Sequence, residues 1–331
     1  MKKLCFLLAL LLCLPSLPSC AVREHTRSFL SMGTTVTVTL YTNDTAAAEQ
    51  AFAECRLILT ELESLWDLRN ENGEIAQWNA SATGGRLDAR TVTLLQTARS
   101  VSNATNGAFD LTVAPLVGLW ETCGEENRLP RTEELTELLA HVGASTLALT
   151  DQSLLKADPQ TKIDLGGIGK GAAMSALIDY LKGTSIAGGL VSFGSNVAVF
   201  GQKPDQKPFT VALRDPKNAN GTVGRLTLDA GWVLSVSGDY ERFVTVNGQR
   251  YHHILDPQTG YPAQSGLASV AVIAEDGAVA DALSTALFVL GRDGGLDFYQ
   301  TCTDFRFEAL FIESDGTVTA TNGFADIWIG E

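Results

Sequence analysis

The sequence predicts an α+β fold in which mainly antiparallel sheets carry packed helices, and three observations predict it. Helix-patterned and strand-patterned stretches are segregated along the chain instead of alternating strictly. Hairpin signals outnumber strand–helix–strand crossover units, and strand patterns dominate from Ile163 onward. No internal repeat or long linker interrupts the chain, so residues 20–331 read as a single catalytic body.

The chain opens with Lys2 and Lys3, then an apolar run over residues 4–14, then small residues. That is the pattern of a secretory signal, too short to serve as a spanning helix. Its end, Leu17-Pro18-Ser19-Cys20, resembles the bacterial lipobox, with Pro18 where a small or aliphatic residue is usual. On this reading residues 1–19 are a lipoprotein signal peptide and Cys20 is the lipidated mature N-terminus. The protein is then exported and held at the bacterial cell membrane by its lipid, facing the periplasm or the cell exterior. The alternative takes Ser19-Cys20-Ala21 as an ordinary cleavage site that releases a soluble protein.

Cleavage before Cys20 removes 19 of 331 residues and leaves 312, enough for a substantial core. Losing Lys2 and Lys3 moves the formal charge from −14 to −16. So acidic a body is repelled by nucleic acid and anionic lipid, which excludes nucleic-acid binding and leaves attachment to the acyl chains. Cys55, Cys123 and Cys302 are too few and too scattered for a disulfide framework or a metal cluster; they read as small apolar side chains.

Within the body, Val36, Val38 and Leu40 alternate with threonines after Met32-Gly33-Thr34 and predict a half-buried strand. Phe52, Cys55, Leu59, Leu62 and Trp66 then recur at helical spacing. A second helix is expected over residues 91–103. A third starts at Thr132-Glu133-Glu134 and buries Leu135, Leu138, Leu139 and Val142 before Gly143 ends it. Ile163 and Asp164 read as the end of a strand, with helices over 171–181 and 277–290. Asn247-Gly248, between Phe243-Val244 and Tyr251, signals a hairpin turn.

Four segments can carry chemistry. On the last helix Asp281, Ser284 and Thr285 stand at i, i+3 and i+4 and share one face. Carboxylate and hydroxyl oxygens are hard ligands suited to Mg²⁺, although a solvated helix face has the same pattern. The run Asp164-Leu165-Gly166-Gly167-Ile168-Gly169-Lys170-Gly171 opens a helix and offers free N–H groups to a phosphate. It is no Walker A loop, and its G-x-G-x-x-A match lacks the acidic residue of a dinucleotide fingerprint; a tight packing turn is the plainer alternative. Asn106 to Thr112 sets Phe109 beside Asp110 at a turn, fit either to hold a ring and a ribose edge or simply to pack. Finally, His252-His253-Ile254-Leu255-Asp256-Pro257 follows the hairpin, and a histidine there can titrate near neutral pH and act as a base.

Together and in this order these segments resemble the ApbE family of FAD:protein FMN transferases, from Met32-Gly33-Thr34 to Ala280-Asp281-Ala282. The most specific parts are the glycine segment, Ser237-Gly238-Asp239-Tyr240, and His253 to Pro257 with Thr259-Gly260-Tyr261-Pro262. The resemblance implies a cleft in an α+β fold where FAD is bound by the positions Met32, Trp66, Ala108, Phe109, Asp110, Asp164, Lys170 and Leu255. It implies a magnesium ion on the Gly167 carbonyl, Asp281, Ser284 and Thr285. Two positions depart from the family pattern: Gly194-Ser195-Asn196, and the Leu65-Trp66-Asp67-Leu68 context of Trp66.

The implied reaction is attack by a Thr or Ser hydroxyl of an acceptor protein on the FMN-side phosphorus of FAD, with release of AMP. The acceptor is expected to be a subunit of a membrane electron-transfer complex or a secreted flavoprotein. His253 is the expected base with Asp256 orienting it, and Lys170 the expected cation beside the metal. Two other functions remain open at the level of sequence: a Mg²⁺-dependent FAD pyrophosphatase and a flavin-binding lipoprotein without activity. A solute receptor would need two βαβ lobes, which the hairpin-rich second half does not offer.

Overall fold

The computed structural model describes residues 22–330; the signal segment and Cys20 lie outside the described residues. Strand Arg23–Ser31 turns back through Met32-Gly33 onto Thr34–Thr42, with φ 47° and 73° at the two turn residues. Positive φ strains a side chain such as that of Met32, and its N–H is anchored by donating to Glu63 Oε1 at 2.8 Å.

These two strands begin an eight-stranded sheet in which every neighbouring pair is antiparallel. After them come, in spatial order, Gly188–Phe193, Asn196–Gly201, Val233–Gly238, Leu267–Ala274, Phe307–Glu313 and Val318–Ala320. The α+β class expected from segregation and hairpins is the one observed.

The sheet is covered on both faces, more than the alternation in Thr34–Thr42 foretells. Helices Thr45–Trp66, Ala89–Ala104, Gly169–Lys182 and Gly277–Thr301 share the larger core with Val36, Val38, Phe193, Val270 and Val272. A smaller core sets Tyr41, Leu234, Ala271, Ile273 and Leu310 against Phe209, Leu213, Leu226 and Phe324. The last four come from a three-stranded sheet and the short helix Asn322–Ile327. All eight residues of Leu267–Ala274 are therefore buried, as a strand enclosed on both sides must be.

Helix starts follow their caps. Asp44 accepts from Ala47 N and Asp276 from Ala278 N, each filling one of the donors a helix start leaves unpaired. The helix expected over 277–290 stops regular winding at Gly291 (φ 75°) and then resumes to Thr301. The third expected helix is shorter than foreseen, Thr132–Leu139, with residues 140–142 in a turn. Helix Ala114–Glu125 was not foreseen; Pro115 reads as a turn residue but also suits a first helical turn, where its missing N–H costs nothing.

One expectation is corrected at the glycine segment. Ile163 does not end a strand: it lies outside every strand, and the Asn79 side chain pairs its backbone groups. Asn79 Oδ1 accepts from Ile163 N at 2.8 Å and its Nδ2 donates to Ile163 O at 2.9 Å.

Helices Gly169–Lys182 and Gly277–Thr301 meet backbone to backbone through Gly171 and Gly277. A methyl group on Gly171 would lie 1.9 Å from Gly277 O. Gly171→Ala must push the two helices apart, so we expect a stability loss of about 1–3 kcal/mol or more, checked by urea denaturation; an unchanged midpoint would refute the tight contact. Among the described residues no helix is long and apolar enough to cross a membrane. Cys55 and Cys123 are buried and unbridged, and burial pushes the Cys55 thiol up to about 12.

Candidate active site

The polar stripe of helix Gly277–Thr301 is buried at Asp281 and Ser284 and half-buried at Thr285, which removes the solvated-face alternative. Asp281 is 4 % exposed and Ser284 fully covered. The Asp281 carboxylate crosses to three elements. Its Oδ2 accepts from Gly171 N at 2.9 Å, and its Oδ1 from Asn196 Nδ2 at 3.0 Å and from Ser235 Oγ at 2.8 Å. Asp281 thus takes the place on Gly171 that an external anion would occupy. Gly169 N in turn bonds Leu165 O, so the helix start is less free than its glycines suggest.

One turn further along, Ser284 Oγ donates to Asp281 O at 2.8 Å and meets Ser237 Oγ, also at 2.8 Å. Ser237 Oγ lies 3.4 Å from Thr285 Oγ1. Gly167 faces this cluster: a methyl group there would sit 3.2 Å from Phe109 Cε2 and 3.5 Å from Thr285 Oγ1. The structure thereby brings together all four expected metal positions, Gly167, Asp281, Ser284 and Thr285, and adds Ser237.

No group of three or more His, Cys, Asp or Glu side chains suited to a metal occurs among the described residues. The donors are one carboxylate, hydroxyls and a backbone carbonyl. That set suits Mg²⁺, which keeps several waters and takes oxygens from substrate phosphates rather than from an all-protein cage. An ionised carboxylate has about four acceptor positions. The contacts above fill two on Oδ1 and one on Oδ2, so Asp281 keeps an acceptor position for a cation. The residues present fit the ion.

Beside these hydroxyls stands a small charged group. Asp164 Oδ1 accepts from Gly166 N at 2.7 Å, and Lys170 Nζ donates to Gly166 O at 3.1 Å. Burial pushes the Asp164 carboxyl up, opposed by the Gly166 N–H and then by Lys170, Arg242 and Arg69. Arg69 and Arg242 also converge over the Met32-Gly33 turn: a methyl group on Gly33 would lie 3.2 Å from Arg69 Nη2 and 3.8 Å from Arg242 Nη2. Sequence reading missed both arginines, since neither lies at the core of a motif.

The two histidines divide their roles. His252 Nε2 meets Ala263 O at 3.1 Å, its ring packs edge-on against Phe288, and its buried Nδ1 has no partner. It is a packed side chain. His253 Nδ1 meets Arg242 O at 3.1 Å. A carbonyl only accepts, so Nδ1 carries the proton and Nε2 keeps its lone pair. Surrounding protein holds this imidazole down to about 4, helped by Lys170 and Arg242 and opposed by the Arg242 carbonyl. Its own surface stays open to solvent, and hydration there moderates the depression.

Asp256 does not orient His253. Its Oδ1 accepts from Gln258 N and its Oδ2 from Thr259 Oγ1, so it fixes the turn through Gly260, and the orienting contact on His253 comes from the Arg242 carbonyl.

The expected flavin contacts separate by burial. Met32, Asp164 and Lys170 are partly exposed, whereas Trp66, Ala108, Phe109, Asp110 and Leu255 are buried. Trp66 Nε1 donates to Thr91 Oγ1 at 3.1 Å within the main core. Leu255 packs with Leu116, Trp120 and Leu135 in a separate cluster below the hairpin. Asp110 Oδ1 accepts from both Thr112 N and Thr112 Oγ1. Removing that cap by Asp110→Ala should cost about 0.5–2 kcal/mol, read from a denaturation midpoint. Lost FAD affinity with an unchanged midpoint would assign the carboxylate to the ligand instead. A small apolar cavity lined by Leu95, Leu111, Leu147, Leu149 and Leu154 lies behind Asp110 and includes none of Lys170, Asp281 or His253.

Comparison with known proteins places this geometry. The model of the ApbE family matches residues 32–311. The FAD:protein FMN transferase of Haemophilus influenzae is 32% identical over 284 residues, 81% of this chain and 81% of its own. That of Treponema pallidum is 29% identical over 327 residues, 92% of this chain and 89% of its own. Among solved structures, the apo flavinyl transferase ApbE of Pseudomonas stutzeri superposes with a TM-score of 0.81 at 30% identity, covering 92% of this chain and 97% of that one. The ApbE protein of Thermotoga maritima gives 0.81 at 31% identity, with 92% and 99% covered.

Proposed function

This chain belongs to the ApbE family, and from that premise we propose that it is an FAD:protein FMN transferase working with Mg²⁺. The observation that carries the reading is one cluster: Asp281, Ser284, Thr285, Gly167 and Ser237 at one end, and a lysine and a neutral imidazole beside it.

In the reaction, the oxygen of an acceptor Ser or Thr hydroxyl forms a bond to the FMN-side phosphorus while the P–O bond to AMP breaks. AMP leaves with the bonding pair, and the hydroxyl proton passes to His253 Nε2, the nitrogen left bare by the Nδ1 contact with Arg242 O. Asp281, Ser284, Thr285 and the Gly167 carbonyl are the residues that would hold magnesium. Held there, such an ion would supply positive charge to the phosphate oxygens. Lys170 lies within charge range of Asp164, Glu241 and His253 and offers a second positive group on a flexible stem. The acceptor is proposed to be an exported or membrane-bound flavoprotein, and the enzyme to be held at the membrane through Cys20.

The test is incubation with FAD, Mg²⁺ and candidate acceptors, followed by mass spectrometry. We expect one acceptor Ser or Thr to gain phosphoester-linked FMN, with one AMP released per transfer. AMP release at the same rate without acceptor would make the protein an FAD pyrophosphatase, and tight FAD binding without AMP would make it a flavin-binding protein only.

A further inference from the structure

Asn196 and Ser235 are fully buried polar side chains in the middle of the large sheet, and their presence there needs a cause. The ladder between Asn196–Gly201 and Val233–Gly238 pairs Val233 with Ala198 and Leu234 with Val197, and ends there. Where Ser235 would pair with Asn196, side chains take over. Asn196 Oδ1 accepts from Val236 N at 3.1 Å, and Ser195 Oγ donates to Val236 O at 3.0 Å.

The strands are thus released from each other at the one point where Asp281 enters. Asn196 Nδ2 and Ser235 Oγ both reach Asp281 Oδ1, and Ser235 Oγ also lies 3.0 Å from Asn196 Oδ1. Two core positions are spent on one oxygen of one carboxylate, while Gly171 N holds the other oxygen. This fixes the rotamer of Asp281 and leaves the remaining acceptor position on Oδ2.

We propose that Asn196 and Ser235 are positioning residues that hold Asp281 ready for a divalent cation, so that removing either weakens cation binding before it weakens the fold. The inference rests on the reading of Asp281 as a metal ligand. It also gives the Gly194-Ser195-Asn196 departure from the family pattern a role in the sheet opening.

The test uses the mature protein and the metal, alone and with FAD present: Mg²⁺ by calorimetry and Mn²⁺ by its free-ion spin-resonance signal, with a thermal melt on each sample. Losing an outer partner of a metal ligand lowers affinity about 10–100-fold, and that is the expected loss for Asn196→Ala, with transfer recovering at raised Mg²⁺. Ser235→Ala removes a single hydroxyl and decides the same question if Asn196→Ala does not fold. Unchanged metal affinity with a lowered melting temperature in either variant would overturn the proposal and make the pair purely structural. Absence of divalent binding by the wild-type protein both alone and with FAD present would overturn the metal reading itself, and this inference with it.

Discussion

Asp281→Asn is expected to abolish Mg²⁺-dependent transfer while the protein stays folded. Comparable cationic elements at phosphoryl centres are worth roughly 10³–10⁵ in rate, and the amide has neither the charge nor the free acceptor position of the carboxylate. Asp281→Ala is a poorer probe, because burial changes its consequence. It strands Gly171 N–H and Asn196 Nδ2 in the interior, while Ser235 Oγ keeps Asn196 Oδ1 as its acceptor. Each unpaired donor costs about 1–3 kcal/mol, so loss of activity there would mix with loss of fold. A helix stripe facing water would have tolerated alanine; this one does not. Initial rates of AMP release across a Mg²⁺ titration, beside a thermal melt, check the expectation. Full-rate transfer by Asp281→Asn at saturating FAD would remove Asp281 from the metal.

His253→Ala is expected to retain FAD and to slow transfer by about 10²–10⁴, the usual worth of a general base. The pH profile gives the sharper test. A free histidine changes charge between about pH 5 and 8, and a base with an ordinary pKa would begin to lose activity there on acidification. Here the protein around the ring, with Lys170 and Arg242, holds the pKa below the ordinary histidine range, toward about 4. The active form is the neutral imidazole: it persists above that value, and activity falls only as the pH drops toward it. Transfer by the wild type should therefore be flat through neutrality with its acidic limb well below the ordinary histidine range, and the limb should vanish from the residual activity of His253→Ala. A wild-type limb near 6.5, or the same profile in both proteins, contradicts the assignment.

The glycine segment, the Asp281 stripe and the hairpin signal at Asn247-Gly248 were legible because each is a local pattern whose meaning depends on neighbours within a few residues. Helix 171–181 was found to within two residues, and 277–290 matches the segment before the break at Gly291 but not its continuation to Thr301, since apolar periodicity and caps are written along the chain. Asp256 was misjudged because proximity to His253 in sequence is not contact: the turn carrying Thr259 and Gly260 needs its carboxylate more. Trp66 was legible as an aromatic on a helix. That its indole bonds Thr91 and lies inside the core depends on how helix Thr45–Trp66 meets Ala89–Ala104.

What this sequence determines alone is the α+β class and its family, because periodicity, turn residues and motif order are properties of short stretches. Only the tertiary structure decides how the site works. It sets Asn196, Ser235 and Gly171 around a carboxylate 85, 46 and 110 residues away in the chain, and the Arg242 carbonyl against His253. Hydrogen bonds act over about 3 Å, a separation that folding sets and that residue order along the chain does not specify.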